Sequence, residues 1–405
     1  MPGGVTSRSA SAARAANLFL ALAGLSLIAL AAAAGPAWAD RHFMPTFAWS
    51  RDFQIGLVQA LRALVALIGL AVLLFVRPRI VRPIAEGRGR ATAVSALSAA
   101  LAVAAAFGVT EAMLHTRTWR STQEHWGTKE PLRRPDARLG WTFVPNHSGR
   151  AEIDSRPVDY AIDRFGYRAR DSAAVPDFDR PTILLAGESF MLGYGLQWPE
   201  TIHARLEAAT GLQVANLSVN AYSSDQMYLR LRAELRRFRR PVAVVIPFVP
   251  MLFDRNLDRD RPHLDSSLAW HPAEPPSLRL VELARRLLRY RSAESVEEGV
   301  AMTRAVLQTS IRLVEARGAR ALILVAEYAP EEPAERAIRR RVLDDAHIPY
   351  LLVRLDPAWR LRADRHPNKC GAQALAAAIA RALADGVGFE PTVGVNPRRF
   401  SRPLP

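Results

Sequence analysis

The chain of 405 residues contains a single cysteine, Cys370. One thiol cannot form an intrachain disulfide, and it argues against any metal site that depends on several thiolate ligands. The sequence also lacks a Walker-type phosphate loop, a glycine fingerprint for dinucleotides and a metal-binding cluster. We therefore predict that the protein uses neither a cofactor nor a metal ion.

Acidic residues are too few to balance the basic ones, because 39 Asp and Glu stand against 54 Lys and Arg, a net charge of +15. This charge is compatible with nucleic-acid binding, but the arginines are scattered among apolar and acidic residues. A basic stripe interleaved with aromatic residues is missing, so we expect no nucleic-acid partner. Arginine beside long apolar runs is instead typical of membrane proteins.

Long apolar runs are confined to the N-terminal part of the chain. They predict a membrane anchor over residues 1–114, with helices at about 18–39, 56–76 and 91–113. Each run is long enough to cross a hydrocarbon core of about 30 Å. The third run is rich in alanine, and a long soluble helix is its alternative interpretation. The lipid bilayer is therefore the first partner that we expect.

The first apolar run has a second interpretation. Ala37-Trp38-Ala39 follows its apolar core, and an Ala-x-Ala sequence in this position is also typical of a signal-peptidase site. The run is thus either a retained first helix or a cleaved signal peptide. We favour a retained helix because two further apolar runs follow it.

The distribution of arginine predicts the orientation of the anchor. The loop between the second and third runs carries one acidic residue, Glu86, and five basic ones: Arg77, Arg79, Arg82, Arg88 and Arg90. The positive-inside rule places such a loop in the cytoplasm. Everything after Met113 then lies on the extracytoplasmic side of the cytoplasmic (inner) membrane. This location is the same whether the first run is retained or cleaved.

The rest of the chain divides by pattern into four segments. Residues 115–135 are polar and irregular, and we predict a tether there. Residues 136–180 carry short strand-like runs and predict a small β preamble packed on the main domain. Residues 181–385 form the predicted main domain, and the tail at 386–405 lacks periodicity and is predicted to be disordered.

Short apolar runs alternate with longer amphipathic stretches in the main domain. The predicted strands are Thr182–Ala186, Val214–Leu217, Val242–Phe248, Ala321–Val325 and Tyr350–Val353. Apolar strands that alternate with amphipathic helices indicate an α/β fold, with a parallel sheet covered by helices on both faces. An insertion at Asp254–Pro276 follows the third strand, where we expect it to form a wall of a site.

Two segments carry candidate catalytic residues. Gly187, Glu188 and Ser189 directly follow the first strand, and ligands in open α/β sheets bind beyond the carboxyl ends of the strands. A serine nucleophile needs a histidine base oriented by a third group, and Asp364 and His366 lie together before a predicted final helix. Alone, each segment has an ordinary interpretation: a helix cap for the serine and a polar surface turn for the histidine.

Taken in order, these segments resemble those of the SGNH or GDSL-type hydrolases, over about Pro181–Asp385. The matching segments are Gly187-Glu188-Ser189-Phe190, Asn216-Leu217-Ser218-Val219-Asn220-Ala221-Tyr222 and Asp364-Arg365-His366-Pro367-Asn368. The first has Glu where the family has Asp. The resemblance implies a flavodoxin-like three-layer α/β/α sandwich with a parallel central sheet, preceded here by two or three transmembrane helices and the β preamble.

Carried over by position, the resemblance implies a Ser-His-Asp triad. Ser189 is then the nucleophile, His366 takes its proton and later activates water, and Asp364 holds the imidazole. We expect the hydroxyl of Ser189 and the imidazole of His366 to meet within hydrogen-bonding distance at one edge of the sheet.

The resemblance also implies an oxyanion hole, in which this chain departs from the family. The backbone N–H groups of Ser189 and Ala221 match two of the three family donors. The third donor is an asparagine side chain, and its position falls near Met251-Leu252. Asn220 and Asn256 are the candidates to replace it.

Two functions of different class follow. The first, which we favour, is a membrane-tethered serine ester hydrolase or acyl transferase that acts on an acylated small molecule, glycan or lipid of the cell envelope. The second is a catalytically impaired relative that binds such a ligand or assists a partner protein. The missing asparagine motivates the second hypothesis.

Overall fold

The computed structural model describes residues 7–45, 51–114, 129–274, 278–327, 331–362 and 366–387. The candidate residue Asp364 lies outside this part of the chain, as do most of the predicted tether and nearly all of the predicted tail. The described residues divide into two compact units. A helical unit comprises the N-terminal helices and residues 278–291, and a second unit comprises residues 129–274 and those from 292 onward.

The helical unit contains the predicted membrane helices. Its N-terminal elements are α1 (Ser7–Ala33), α2 (Pro36–His42), α3 (Arg51–Ala71), a π-helical turn (Val72–Val76), α4 (Arg77–Ala85) and α5 (Gly89–Leu114). Three stretches are long and apolar enough to cross a membrane: Ala10–Ala33, Arg51–Ala85 and Gly89–Leu114. The prediction of three apolar helices is therefore confirmed. The second is longer than its apolar run because α4 continues the helix through the first arginines.

Helices α1 and α3 approach each other at two glycines. A Cβ atom on Gly24 would lie 2.8 Å from the carbonyl oxygen of Gly69, and one on Gly69 would lie 2.7 Å from that of Gly24. Small residues allow this close backbone approach between membrane helices. Arg62 of α3 also donates from Nε to the carbonyl of Ala31 at 2.9 Å. Helices α1 and α3 are thus joined by a close backbone contact and a side-chain hydrogen bond.

The second unit is built on a mostly parallel sheet. Its strands are β1 (Arg133–Asp136), β2 (Gly140–Phe143), β3 (His147–Ile153), β4 (Arg156–Ile162), β5 (Arg168–Ala169), β6 (Thr182–Leu185), β7 (Gln213–Asn216), β8 (Pro241–Pro247), β9 (His263–Leu264), β10 (Trp270–His271), β11 (Arg320–Glu327) and β12 (Tyr350–Arg354). Eight of them form one sheet in the order β12-β11-β8-β6-β7-β5-β4-β3. The first five in this order pair in parallel, and the other pairings are antiparallel.

Helices cover both faces of this sheet. The helices after α5 are, in chain order, α6 (Ser189–Leu192), α7 (Ile202–Thr210), α8 (Ser224–Glu234), α9 (Arg279–Leu288), α10 (Ala293–Glu315), α11 (Pro333–Arg339) and α12 (Lys369–Val387). All of them except α9 belong to the second unit. Helices α7 and α12 share one apolar core with Ile183 and Val245 of the strands. Helices α8 and α10 pack together in another, through Leu229 and Val306. The predicted three-layer α/β/α architecture is confirmed.

The β preamble extends the central sheet. Strands β3 and β4 pair with each other and reach β7 through the short strand β5, in which Arg168 lies opposite Asn216. The preamble also contacts the second family-like segment. The indole Nε1 of Trp141 donates to the carbonyl of Asn220 at 3.0 Å, and the hydroxyl of Tyr222 donates to the carbonyl of Trp141 at 2.6 Å.

Strand β6 marks the switch point of the sheet. It precedes β7 and β8 in the chain but lies between them in the sheet. The connection after β6 therefore leads to the strand on one side of it, and the connection after β7 leads to the strand on the other side. At such a point the loops beyond the carboxyl ends of the strands separate and leave a crevice. All four residues of β6 are buried, and the chain continues from it directly into the Ser189 segment.

Arg168 is a buried cation that holds the turn after the Ser189 helix. Its guanidinium donates to the carbonyls of Leu192 at 2.9 Å and Leu196 at 2.6 Å, and also to that of Gly193. Burial lowers the pKa of Arg168 to about 10. A buried charge is tolerated where hydrogen bonds replace its lost hydration.

We predict that Arg168→Met destabilises the protein by about 3 kcal/mol or more, because it leaves three buried carbonyls without their charged donor. The full chain in detergent should show a clearly lower unfolding temperature by intrinsic fluorescence. Arg170→Met, at an exposed position of the same segment, serves as the control and should unfold with the parent. Equal unfolding temperatures for both variants would contradict this role.

Candidate active site

The serine segment forms a tight turn between β6 and α6. A Cβ atom on Gly187 would lie 2.5 Å from Cγ of Met191 and 2.9 Å from Cγ of Pro247, so only glycine fits there. Glu188 is the N-cap of α6, and its side chain accepts a hydrogen bond from the N–H of Phe190. Ser189 is consequently the first residue of the helix, beyond the carboxyl end of β6.

The structure brings Ser189 and His366 together. Oγ of Ser189 lies 2.8 Å from Nε2 of His366, although most of the second unit separates the two residues in sequence. Both side chains are buried, with exposed fractions of 5% and 8%. The rings of Phe190 and Tyr194 lie 5.1 and 4.7 Å from the imidazole. This packing shields the pair from water and limits the orientations of the imidazole.

His366 is positioned by the loop that leads into α12. Its carbonyl accepts a hydrogen bond from the N–H of Leu361 at 2.8 Å. Two residues later, Oδ1 of Asn368 accepts from the N–H groups of Cys370 and Gly371 at 2.9 and 3.2 Å and so caps α12. Asp364, the predicted orienting carboxylate, falls outside the described residues and remains a prediction.

Glu188 is a second hydrogen-bond partner of Ser189. Its Oε2 accepts from Oγ of Ser189 at 2.8 Å and from the N–H of Phe190 at 3.0 Å. The hydroxyl carries a single proton, so it can donate to Glu188 or to His366, but not to both. When it donates to Glu188, Nε2 of His366 must be the protonated partner in the other bond. Nucleophilic attack requires the opposite arrangement, in which Nε2 is neutral and accepts the proton.

The second family-like segment lies against the serine turn. The N–H of Val219 donates to the carbonyl of Gly187 at 3.1 Å, and the N–H of Gly187 donates to Oγ of Ser218 at 3.1 Å. Ala221 follows in a left-handed conformation, with φ of 64°. This conformation favours glycine and costs other residues about 1–2 kcal/mol. It explains physically why the family has glycine at the position that Ala221 matches.

The two asparagine candidates differ in what their amides contact. Asn256 donates from Nδ2 to the hydroxyls of Ser224 at 3.1 Å and Thr303 at 2.9 Å, and its Oδ1 accepts from the N–H of Ser224. Its donors are therefore used in joining α8 to α10. Asn220 is buried, and its Oδ1 has no hydrogen-bond partner among the described residues. Leu252, near the family's asparagine position, packs in the apolar core.

Three arginines surround this region. Nη1 of Arg255 lies 4.0 Å from Oε2 of Glu188, and Nη1 of Arg261 donates to the carbonyl of Ala221 at 2.9 Å. The guanidinium carbons of Arg133 and Arg261 lie 5.9 and 5.2 Å from the ring centre of Trp141. Burial, together with the charges of Arg255 and Arg261, lowers the pKa of Arg133 to about 10. Positive charge from Arg133 and Arg255 therefore lies near the buried carboxylate of Glu188, whereas Arg261 is paired with Asp258 at 3.0 Å.

Sequence reasoning missed these arginines and the hydrogen bond from Ser189 to Glu188. Arginine is frequent throughout the chain, so composition gives Arg133, Arg255 and Arg261 no distinguishing signal. The insertion at Asp254–Pro276 was expected to form a wall of the site, and it contains two of the three.

Comparisons with known proteins give limited information. The chain matches no protein-family profile and no curated protein. It is similar to several solved structures. One is described as a lipolytic protein of the G-D-S-L family from Desulfitobacterium hafniense, with 12% identity and a TM-score of 0.31, and the match covers 49% of this chain and 98% of that one.

Two further solved structures belong to the same group. An acetyl xylan esterase from Butyrivibrio proteoclasticus has 10% identity and a TM-score of 0.33, covering 53% of this chain and 66% of that one. A lipase from a goat rumen metagenome has 10% identity and a TM-score of 0.33, covering 50% and 97%. The matched structures are thus GDSL-type lipolytic proteins and esterases. At these TM-scores the likeness carries no argument about activity, which must come from the site itself.

We predict that Glu188→Gln raises kcat/KM for p-nitrophenyl acetate about threefold or more, because a neutral amide oxygen competes less strongly than a carboxylate for the proton of Ser189. In the parent, the hydroxyl of Ser189 can donate to Oε2 of Glu188 or to Nε2 of His366. The amide oxygen can still accept from Phe190, so the cap is kept. Hydrolysis at one fixed pH provides the measurement, with the exposed Glu152→Gln as the control. Equal kcat/KM for Glu188→Gln and the parent would contradict a role for this carboxylate in holding the serine proton.

Proposed function

We propose that this chain is a membrane-anchored serine ester hydrolase or acyl transferase. The observation that carries the proposal is the 2.8 Å contact between Oγ of Ser189 and Nε2 of His366. It lies beyond the carboxyl end of β6, at the switch point where an α/β sheet forms a binding crevice. A hydroxyl beside an imidazole at this distance is the arrangement that nucleophilic acyl transfer requires.

In the proposed reaction, Oγ of Ser189 attacks the ester carbonyl carbon while Nε2 of His366 takes the hydroxyl proton. The carbonyl oxygen becomes an oxyanion, and its collapse breaks the bond to the alcohol. The leaving alcohol receives the proton from His366, and the acyl group stays on Oγ. Water then attacks the acyl-enzyme, with His366 again as base, and releases the acid; a second alcohol in place of water completes an acyl transfer instead.

The oxyanion needs preorganised donors, and we assign them by position. The N–H of Ser189 lies in the first turn of α6, where backbone N–H groups have no partner within the helix. The N–H of Ala221 belongs to the turn held against Gly187. Asn220 is the better candidate for the third donor, because the amide of Asn256 is already bonded to Ser224 and Thr303. Loss of one such donor costs about 10²–10³ in turnover in a comparable site.

We predict that a fluorophosphonate probe labels the full chain in detergent and that Ser189→Ala abolishes the label. His366→Asn should slow labelling and p-nitrophenyl acetate hydrolysis by about a thousandfold or more, because the hydroxyl loses its base. Ser266→Ala, at an exposed position outside the site, is the matched control and should react like the parent. Equal labelling of parent and Ser189→Ala would overturn the assignment of the nucleophile.

The second candidate function is ligand binding or assistance to a partner without turnover. The observation that favours it is the packing of Leu252 into the core near the place where the family has its asparagine. Under this function, parent and Ser189→Ala have the same background hydrolysis. A labelled serine without turnover would instead indicate a reactive nucleophile with an incomplete oxyanion hole.

We also propose that the second unit lies on the extracytoplasmic side of the cytoplasmic membrane. The arginine-rich loop around Glu86 supports this orientation. A periplasm-active alkaline phosphatase fused after Asp385 should be active, and the same reporter fused after Arg88 should be silent. The reverse pattern would place the second unit in the cytoplasm.

A further inference from the structure

Helix α9 lies within the sequence of the predicted main domain but belongs to the helical unit. The described residues of the second unit are interrupted after residue 274, and residues 278–291 group with the N-terminal helices instead. Helix α9 itself spans Arg279–Leu288. The chain returns to the second unit at Ser292, the N-cap of α10.

The N-terminal end of α9 is capped by a side chain of α5. Oε1 of Glu111 accepts from the N–H of Arg279 at 2.6 Å, and Oε2 accepts from the N–H of Leu280 at 2.9 Å. A carboxylate at this end also interacts favourably with the helix dipole. Glu111 lies one turn before the end of the candidate span Gly89–Leu114, which fixes the start of α9 at that end of the span.

The C-terminal end of α9 is bonded to the segment that follows the first span. The N–H of Met44 donates to the carbonyl of Arg289 at 3.0 Å, and the N–H of Arg291 donates to the carbonyl of His42 at 2.8 Å. Tyr290 stacks on Trp38, with 5.8 Å between the ring centres. Tryptophan and tyrosine are enriched where membrane helices meet the headgroup region.

Both attachments lie on the same face of the membrane. One span, Arg51–Ala85, separates Ala10–Ala33 from Gly89–Leu114. The outer two therefore run in the same direction, and their C-terminal ends emerge on the same side. Helix α9, about 15 Å long at 1.5 Å per residue, is bonded to both of these ends. It must therefore lie along that face and cannot cross the bilayer.

The sequence of α9 has the pattern of a helix at a membrane surface. Apolar residues recur at the spacing of one helical face, at Leu280, Leu283, Ala284, Leu287 and Leu288, and the remaining positions include Arg279, Glu282, Arg285 and Arg286. Such a pattern, with arginine on the polar face, is typical of interfacial helices. Val281 within the helix and Leu278 directly before it have exposed fractions of 51% and 52%.

We propose that α9 is an interfacial helix that binds the surface of a bilayer containing anionic lipids. Its apolar positions enter the boundary between headgroups and acyl chains, and its arginines contact lipid phosphates. The proposal does not depend on ester hydrolysis. It adds a membrane contact next to the three spans, in the segment that follows the insertion supplying Arg255 and Arg261 to the site.

A fluorescent label on α9 tests this placement in the full chain reconstituted in phosphatidylglycerol-containing nanodiscs. With Cys370→Ser as the background, Ala284→Cys puts a nitrobenzoxadiazole label on the apolar face, and Glu282→Cys puts it on the opposite face. We expect blue-shifted emission at position 284. We also expect quenching by lipids with a shallow doxyl group about twofold or more above that at position 282, as for a helix buried to headgroup depth.

Each other result overturns a defined part of the proposal. A label at position 284 that is not quenched by any doxyl lipid means that water or protein covers this face. Equal quenching at both positions means that the helix has no lipid-facing side, and stronger quenching by a deep doxyl group means that it is inserted, not interfacial. Unchanged quenching in purely phosphatidylcholine nanodiscs would remove the anionic lipid from the proposal.

Discussion

The hydrogen bond between Ser189 and His366 is the contact on which the candidate site depends. It joins the end of the first parallel strand to the loop before α12. Each partner is held locally: Ser189 by a turn that only glycine fits at position 187, and His366 by a loop that ends at the Asn368 cap of α12. Because β6 lies between β7 and β8, the two side chains meet at the switch point of the sheet, where open α/β sheets bind their ligands.

The carboxylate of Glu188 gives this site a distinct electrostatic character. Its Oε2 accepts a hydrogen bond from Oγ of Ser189 and lies 4.0 Å from Nη1 of Arg255. The single proton of the hydroxyl can go to Glu188 or to His366, and the surrounding charge affects which of them accepts it. Arg133 and Arg255 place positive charge near this carboxylate, whereas Arg261 is paired with Asp258. Preorganised charge is most effective where water is excluded.

The helical unit is more than the N-terminal segment of the chain. Its first and second candidate spans pack closely at Gly24 and Gly69, and Glu111 of the third caps α9, a helix that comes from the middle of the chain. The two units are thus interleaved in sequence. The insertion after β8 supplies Arg255 and Arg261 to the candidate site, and the chain then continues into the helical unit.

The sequence by itself determined the elements whose pattern is local, namely the three apolar spans and the five parallel strands, because burial gives them a recognisable pattern of apolar residues. The serine and histidine segments were identified through their resemblance to a known family. Tertiary structure alone decided the rest. The preamble joins the sheet through one residue pair, Arg168 and Asn216. The amide of Asn256 donates to Ser224 and Thr303, and α9 belongs to the helical unit. Each of these depends on contacts between residues far apart in sequence, for which local periodicity holds no information.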